Sequence, residues 1–185
     1  RSLETAYETK RVRNPLGFDK VLPAFLDAAW SYRRQNQLGA DFLILSMLWG
    51  LRLGEACTLV WKDRIPEAEV PRARWLDLET GTGCITDAKN GANHLFAIGP
   101  CALMLLKIRR ASVDPDVRWV FPSSSRLTVQ GHYKDASVAM RTIKKAANEL
   151  LQQRHVQAVP PASGIQNKAP CIEVLRGHDL RRTFG

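Results

Sequence analysis

Two short stretches of this sequence gather side chains suited to holding an anion, and a third offers an isolated amine. The stretch at residues 177–185 reads GHDLRRTFG. On a helix, His178, Arg181 and Arg182 share one face, while Leu180 and Phe184 lie four apart on the opposite face. A helix so arranged is anchored by its apolar side and presents a cationic one. Cations in a first helical turn oppose the macrodipole unless an anion joins them. An anion held by guanidinium groups resolves that conflict. A solvated basic face, with Asp179 as local compensation, is the plainer alternative.

The second stretch is WGLRLGEACTLVW, residues 49–61. Arg52 lies in the most hydrophobic region of the chain, and a partly desolvated guanidinium needs a partner. On a helix it shares a face with Glu55, Ala56 and Leu59, and Glu55 at i+3 supplies the opposite charge. The pair is either purely structural, or it holds Arg52 rigid with its remaining donors aimed at a ligand anion. The third stretch is DAKNGANH. Lys89 directly precedes Asn90-Gly91, a strong two-residue hairpin signal. That places Lys89 at a hairpin tip, where it is ordinary surface decoration or a proton donor able to approach a ligand and withdraw.

These residues need elements to position them. Apolar residues from Phe18 to Arg34 recur at helical spacing, with Pro23 tolerable in the first turn. A second helix is expected over about 39–49, and a short third one from Gly50 to about Leu59. The stretches ARWLDLET, GCITDAK and NHLFAIG are short, rich in β-formers and separated by glycines. They predict a small antiparallel sheet. Helices are expected again over Pro100–Ala111 and Tyr133–Gln153, with RWVFP as a brief extended piece between them. A long loop is expected over 154–176, and a final helix begins at the C-terminal stretch. Helices, a small sheet, then helices give an α+β fold, mostly helical, with no parallel sheet.

Composition sets the class. The chain has 185 residues and 45% hydrophobic content, enough for a domain with its own core. Lys and Arg number 27 against 18 Asp and Glu, a formal charge of +9 that attracts polyanions, nucleic acid above all. Cys57, Cys84, Cys101 and Cys171 show no CxxC spacing. Cys57 and Cys101 fall in apolar helical patterns as small hydrophobes. All four are expected to be reduced, which fits a cytoplasmic protein. The longest apolar run, Phe42–Leu51, is too short to cross a membrane. Residues 1–15 are polar and basic and read as an arm or interdomain linker. The sequence opens without Met, which suggests an excised fragment.

Taken in order, GLRLGEACTLVWKD, then KNG in a hairpin, then HDLRRTF, the sequence resembles the catalytic domain of the tyrosine recombinases, the phage-integrase family. The resemblance covers about residues 16–185. It implies an enzyme that cuts one strand of double-stranded DNA at a time without metal or cofactor. A tyrosine attacks, a 3′-phosphotyrosyl intermediate forms, and the 5′-hydroxyl leaves. By motif, Arg52 and Arg181 would clamp non-bridging oxygens of the scissile phosphate. Lys89 would protonate the leaving oxygen, and His178 would assist proton transfer. Glu55 would orient the first motif, and Asp179, Arg182 and Thr183 would support the second.

The family pattern continues past the second arginine with a small-residue helix, a Gly-His motif carrying a third His or Trp, and then the tyrosine. Tyr7, Tyr32 and Tyr133 all precede that arginine, so none takes the nucleophile's place. The expectation is a catalytic domain truncated before its nucleophile-bearing segment, and therefore inactive alone. It would be a monomer by itself and part of a tetramer on paired DNA sites in the full protein. Two other readings stay open: a recombinase-derived DNA-binding protein without chemistry, and a type IB topoisomerase-like enzyme, which shares the Arg/Lys/His logic.

Overall fold

The structure is a computed structural model that describes residues 16, 19–86, 92–123, 131–158, 169–173, 175 and 180. Its core is organised around one helix. α2 (Gln37–Leu48) carries apolar residues on every side, and everything from Gly39 to Met47 is buried. A helix apolar all round must be covered on all sides. α1 (Val21–Tyr32) packs against it and, most extensively, against α5 (Ser137–Ala158), while α3 (Leu53–Cys57) and α4 (Pro100–Ser112) cover other flanks. Each outer helix buries one stripe, as Ala139, Ile143, Ala147 and Leu151 show on α5.

Local sequence explains the helix ends. Pro23 sits in the first turn of α1, where a missing N–H costs nothing. The Asn36 side chain caps α2 by accepting the Gly39 N–H at 2.8 Å. Pro100 opens α4 at its first position. Asp135 accepts from both the backbone and the hydroxyl of Ser137 as α5 begins. Those bonds hold its carboxyl below the ordinary aspartate range.

Four strands form one sheet in sequence order: β1 (Leu59–Trp61), β2 (Arg74–Asp77), β3 (Thr82–Ile85) and β4 (His94–Ala97). β2, β3 and β4 pair antiparallel, as expected. β1 pairs parallel with β2, so the sheet is mixed. The expected third helix ends two residues earlier than Leu59, and all three residues of β1 are buried. A short apolar run does not distinguish a strand from the last turn of a helix. At Gly83 a Cβ would lie 2.4 Å from the Phe96 ring, so the glycine lets that ring cross β3. The Phe96 and Trp49 ring centroids lie 5.8 Å apart.

The fold is α+β, mostly helical. Leu16 and Leu180 belong to the same core as α2, so the two ends of residues 16–180 meet in one hydrophobic cluster. The expected loop begins later than position 154, because α5 runs to Ala158. Residues 1–15 and 159–168 lie outside the described residues. Of the cysteines, Cys57 and Cys84 are buried, but Cys101 is exposed, so it does not serve as the core hydrophobe its pattern suggested. Among the described residues, all four cysteines are free and no helix is long and apolar enough to cross a membrane.

Candidate functional site

The mounting of Arg52 starts at the end of α2. Gly50 adopts φ 61°, the left-handed conformation that glycine takes without steric cost. Its N–H donates to the Met47 carbonyl at 3.1 Å, and the Leu51 N–H donates to the Ser46 carbonyl at 3.2 Å. This pair of bonds is the Schellman motif, which stops a helix and turns the chain sharply. Leu51 then buries its side chain, 5% exposed, and pins the turn to the core. Arg52 follows as the N-cap of α3 with extended backbone.

Glu55 fixes Arg52 twice. One carboxylate oxygen accepts the Arg52 backbone N–H at 2.7 Å, and the other accepts from Nη1 at 2.6 Å. The first bond is half of a capping box; Arg52 has no acceptor with which to complete the other half. Glu55 is the more enclosed partner, its side chain 13% exposed against 37% for Arg52. Among the described residues, no second acceptor meets the guanidinium. Arg52 is therefore neither a buried structural ion nor a loose surface chain. It is an oriented cation with donors left over, as an anion ligand requires.

The far end of α3 is held as well. The Thr58 hydroxyl lies 3.2 Å from the Glu55 carbonyl and 3.3 Å from the Gly54 carbonyl, close enough to cap the helix. Arg74, at the start of β2, donates from Nη1 to that hydroxyl at 2.8 Å and from Nε to the Thr86 carbonyl at 3.3 Å. Arg74 carries no local signal in the sequence. It lies in a strand pattern, and its partners are 16 and 12 residues away.

Of the residues singled out in the sequence, the structure brings together Arg52 and Glu55. Lys89, His178, Asp179, Arg181, Arg182 and Thr183 lie outside the described residues. Their surroundings are partly fixed. Ile85 on β3 pairs with His94 on β4, so Lys89 belongs to the connection between two antiparallel strands. Leu180 is helical and 1% exposed, as its anchoring role in HDLRRTF requires.

Other candidate groups near α3 are muted. Burial, with the Asp135 charge adding to it, pushes the Cys57 thiol up to about 11, so it stays protonated and unreactive near neutral pH. Burial and the same carboxylate also raise the Tyr133 phenol. Its ring packs edge-on against Phe42, with centroids 5.1 Å apart. Among the described residues, no three His, Cys, Asp or Glu side chains gather as a metal site.

No protein-family model matches this sequence. No curated protein matches it either. Among solved structures, a crystal structure of XerA recombinase is similar, with a TM-score of 0.49 and 20% identity. The similarity covers 92% of this chain and 47% of that one, so this chain spans about half the length of the structure it resembles.

Proposed function

We propose that this chain is the phosphate-holding part of a DNA strand-cleaving and rejoining enzyme of the tyrosine recombinase kind. The observation that supports this best is the mounting of Arg52. Its guanidinium is oriented by Glu55, partly exposed, and among the described residues has donors to spare. The formal charge of +9 and the ordered motifs around Arg52, Lys89 and Arg181 point to the same polyanionic substrate.

On this reading Arg52 and Arg181 grip the non-bridging oxygens of one phosphate and stabilise the charge that builds as a tyrosine attacks. The phosphorus–O5′ bond breaks, Lys89 gives its proton to the departing oxygen, and a 3′-phosphotyrosine remains. His178 takes part in the proton transfers. None of Tyr7, Tyr32 and Tyr133, which all precede Arg181, is given the attacking role. Resealing is the same path reversed, with a 5′-hydroxyl displacing the tyrosine.

Three measurements test this. Residues 1–185 should bind duplex DNA with an affinity that falls steeply between about 50 and 200 mM salt, because phosphate contacts dominate. An affinity indifferent to salt overturns the reading. Arg52→Ala and Arg181→Ala should each weaken sulfate binding at one shared site, and loss of two separate sites overturns the clamp. Residues 1–185 alone should form no covalent adduct with a nicked suicide duplex. An adduct would place the nucleophile within the chain.

A further inference from the structure

We propose that Arg74 is a positioning residue for Arg52, acting through α3. The inference rests on the reading of Arg52 as a phosphate ligand. α3 has five residues, a single turn, and so short a helix has no stability of its own in water. Its geometry must be imposed from both ends. At the first end, Glu55 holds Arg52. At the second, Arg74 is the outside support.

The links form one chain of hydrogen bonds. Arg74 Nη1 donates to Thr58 Oγ1, which leaves the hydroxyl proton of Thr58 to donate to the Glu55 carbonyl. Glu55 in turn carries Arg52 on its carboxylate. A guanidinium donating to an oxygen polarises that hydroxyl and strengthens the bond it gives. Arg74 Nε simultaneously grips the Thr86 carbonyl. Thr86 is buried, and its own hydroxyl donates to the Arg72 carbonyl at 2.9 Å, so this end of the brace is fixed. Arg74 thus ties the last carbonyls of α3 to the end of β3. Two donors at a fixed separation are needed, which suits a planar guanidinium and not an ammonium group. Position 74 also pairs directly with Leu59, the first residue after Thr58, across the parallel strands. The brace therefore joins the end of α3 to β2 at the point where β1 begins.

The test uses the 185-residue chain, a short DNA duplex and the Arg52 Nε–Hε resonance. Arg74→Met should weaken duplex binding by about threefold to tenfold, the scale of coupling between contacting residues. In an Arg52→Ala background it should add no further loss. The Arg52 resonance should broaden in Arg74→Met and in Thr58→Val, and Arg74→Lys, which lacks the second donor at a fixed separation, should not restore it. Thr58→Val removes the same link with little change of shape, so the test survives if Arg74→Met fails to fold. An unchanged Arg52 resonance in a folded variant overturns the proposal. So does an equal Arg74→Met effect in both backgrounds, which would make Arg74 a DNA contact in its own right. If Arg52→Ala leaves duplex affinity unaltered, the functional reading fails instead, while the resonance still decides whether Arg74 positions Arg52.

Discussion

Two arginine–carboxylate arrangements in this molecule, one local and one between distant helices, differ in how the guanidinium is used. Arg109 on α4 is 4% exposed, and its partner Asp41 on α2 is fully buried. Arg109 donates from Nε to the Val120 carbonyl at 2.6 Å and from Nη1 to Asp41 at 3.4 Å, and it covers the Phe121 ring. Asp41 accepts from Arg33 as well, at 2.6 Å. Burial pulls the Arg109 pKa down from its usual value while the Asp41 charge opposes that pull. This charge is turned inward, toward carbonyl, carboxylate and ring. Among the described residues, Arg52 meets one carboxylate, is more exposed and keeps donors unused. The contrast separates an arginine that joins helices from one held at the surface by a single carboxylate, the one proposed above to meet a phosphate. An ion pair alone does not tell them apart; the count of used donors does.

That contrast can be broken by mutation. The largest effect is expected at Asp41→Ala, which strands two guanidinium groups and should cost about 3–5 kcal/mol in denaturant unfolding. Replacing Asp41 and Arg109 together with Leu and Met should recover much of it, since a buried pair often exchanges for apolar residues without loss. If Asp41→Ala costs as little as a surface change, the buried trio is not the brace described. Next comes Gly50→Ala, which forces a side chain into the left-handed region and should cost about 1 kcal/mol. Arg52→Ala should change stability by less than about 1 kcal/mol, because its partly exposed pair is screened by water. A large loss of stability there would make Arg52 a structural residue like Arg109.

The smallest effect is expected at a third ion pair, Lys62 with Asp77. One Asp77 oxygen accepts the Glu79 and Thr80 N–H groups in the turn after β2, and the other accepts from Lys62 at 2.9 Å. Burial works to raise this carboxyl, but the bonds from Lys62, Thr80 and Glu79 together outweigh it and hold the carboxyl low. A depressed folded value means the stabilisation is complete above the unfolded value, near pH 4, and is lost as pH falls through the folded one. Asp77→Asn keeps the turn acceptor and removes the charge. It should cost about 0.5 kcal/mol or less near pH 6, and the difference should vanish toward about pH 2. Midpoints measured across that range decide it. A difference that grows in acid contradicts the assignment.

Much of this was legible because it is local. The all-round apolar pattern of α2, the permissive place of Pro23 and the Glu55 that follows Arg52 at i+3 are set within a turn or two. The glycine signals between strands β2, β3 and β4 are equally local. Less legible were features that depend on distant partners. β1 reads as the tail of a helix until β2 lies parallel to it. Asp41 is one polar residue in an apolar helix, and its meaning comes from Arg33 and from Arg109, 68 positions on. Arg74 is a residue of the same sort, with a role set by where Thr58 and Thr86 end up. Charge and periodicity locate such residues but do not name their partners.

The Schellman turn at Gly50 has one more consequence, which concerns time and cooperativity. Arg52 stands four residues beyond the end of the most buried helix of the molecule, and the bonds that set the turn are donated to carbonyls of that helix. No mobile linker intervenes. Segments with few buried contacts open on their own, while those fastened to the core open only with it. Arg52 belongs to the second kind. Its geometry should persist as long as α2 does and vanish in the same step.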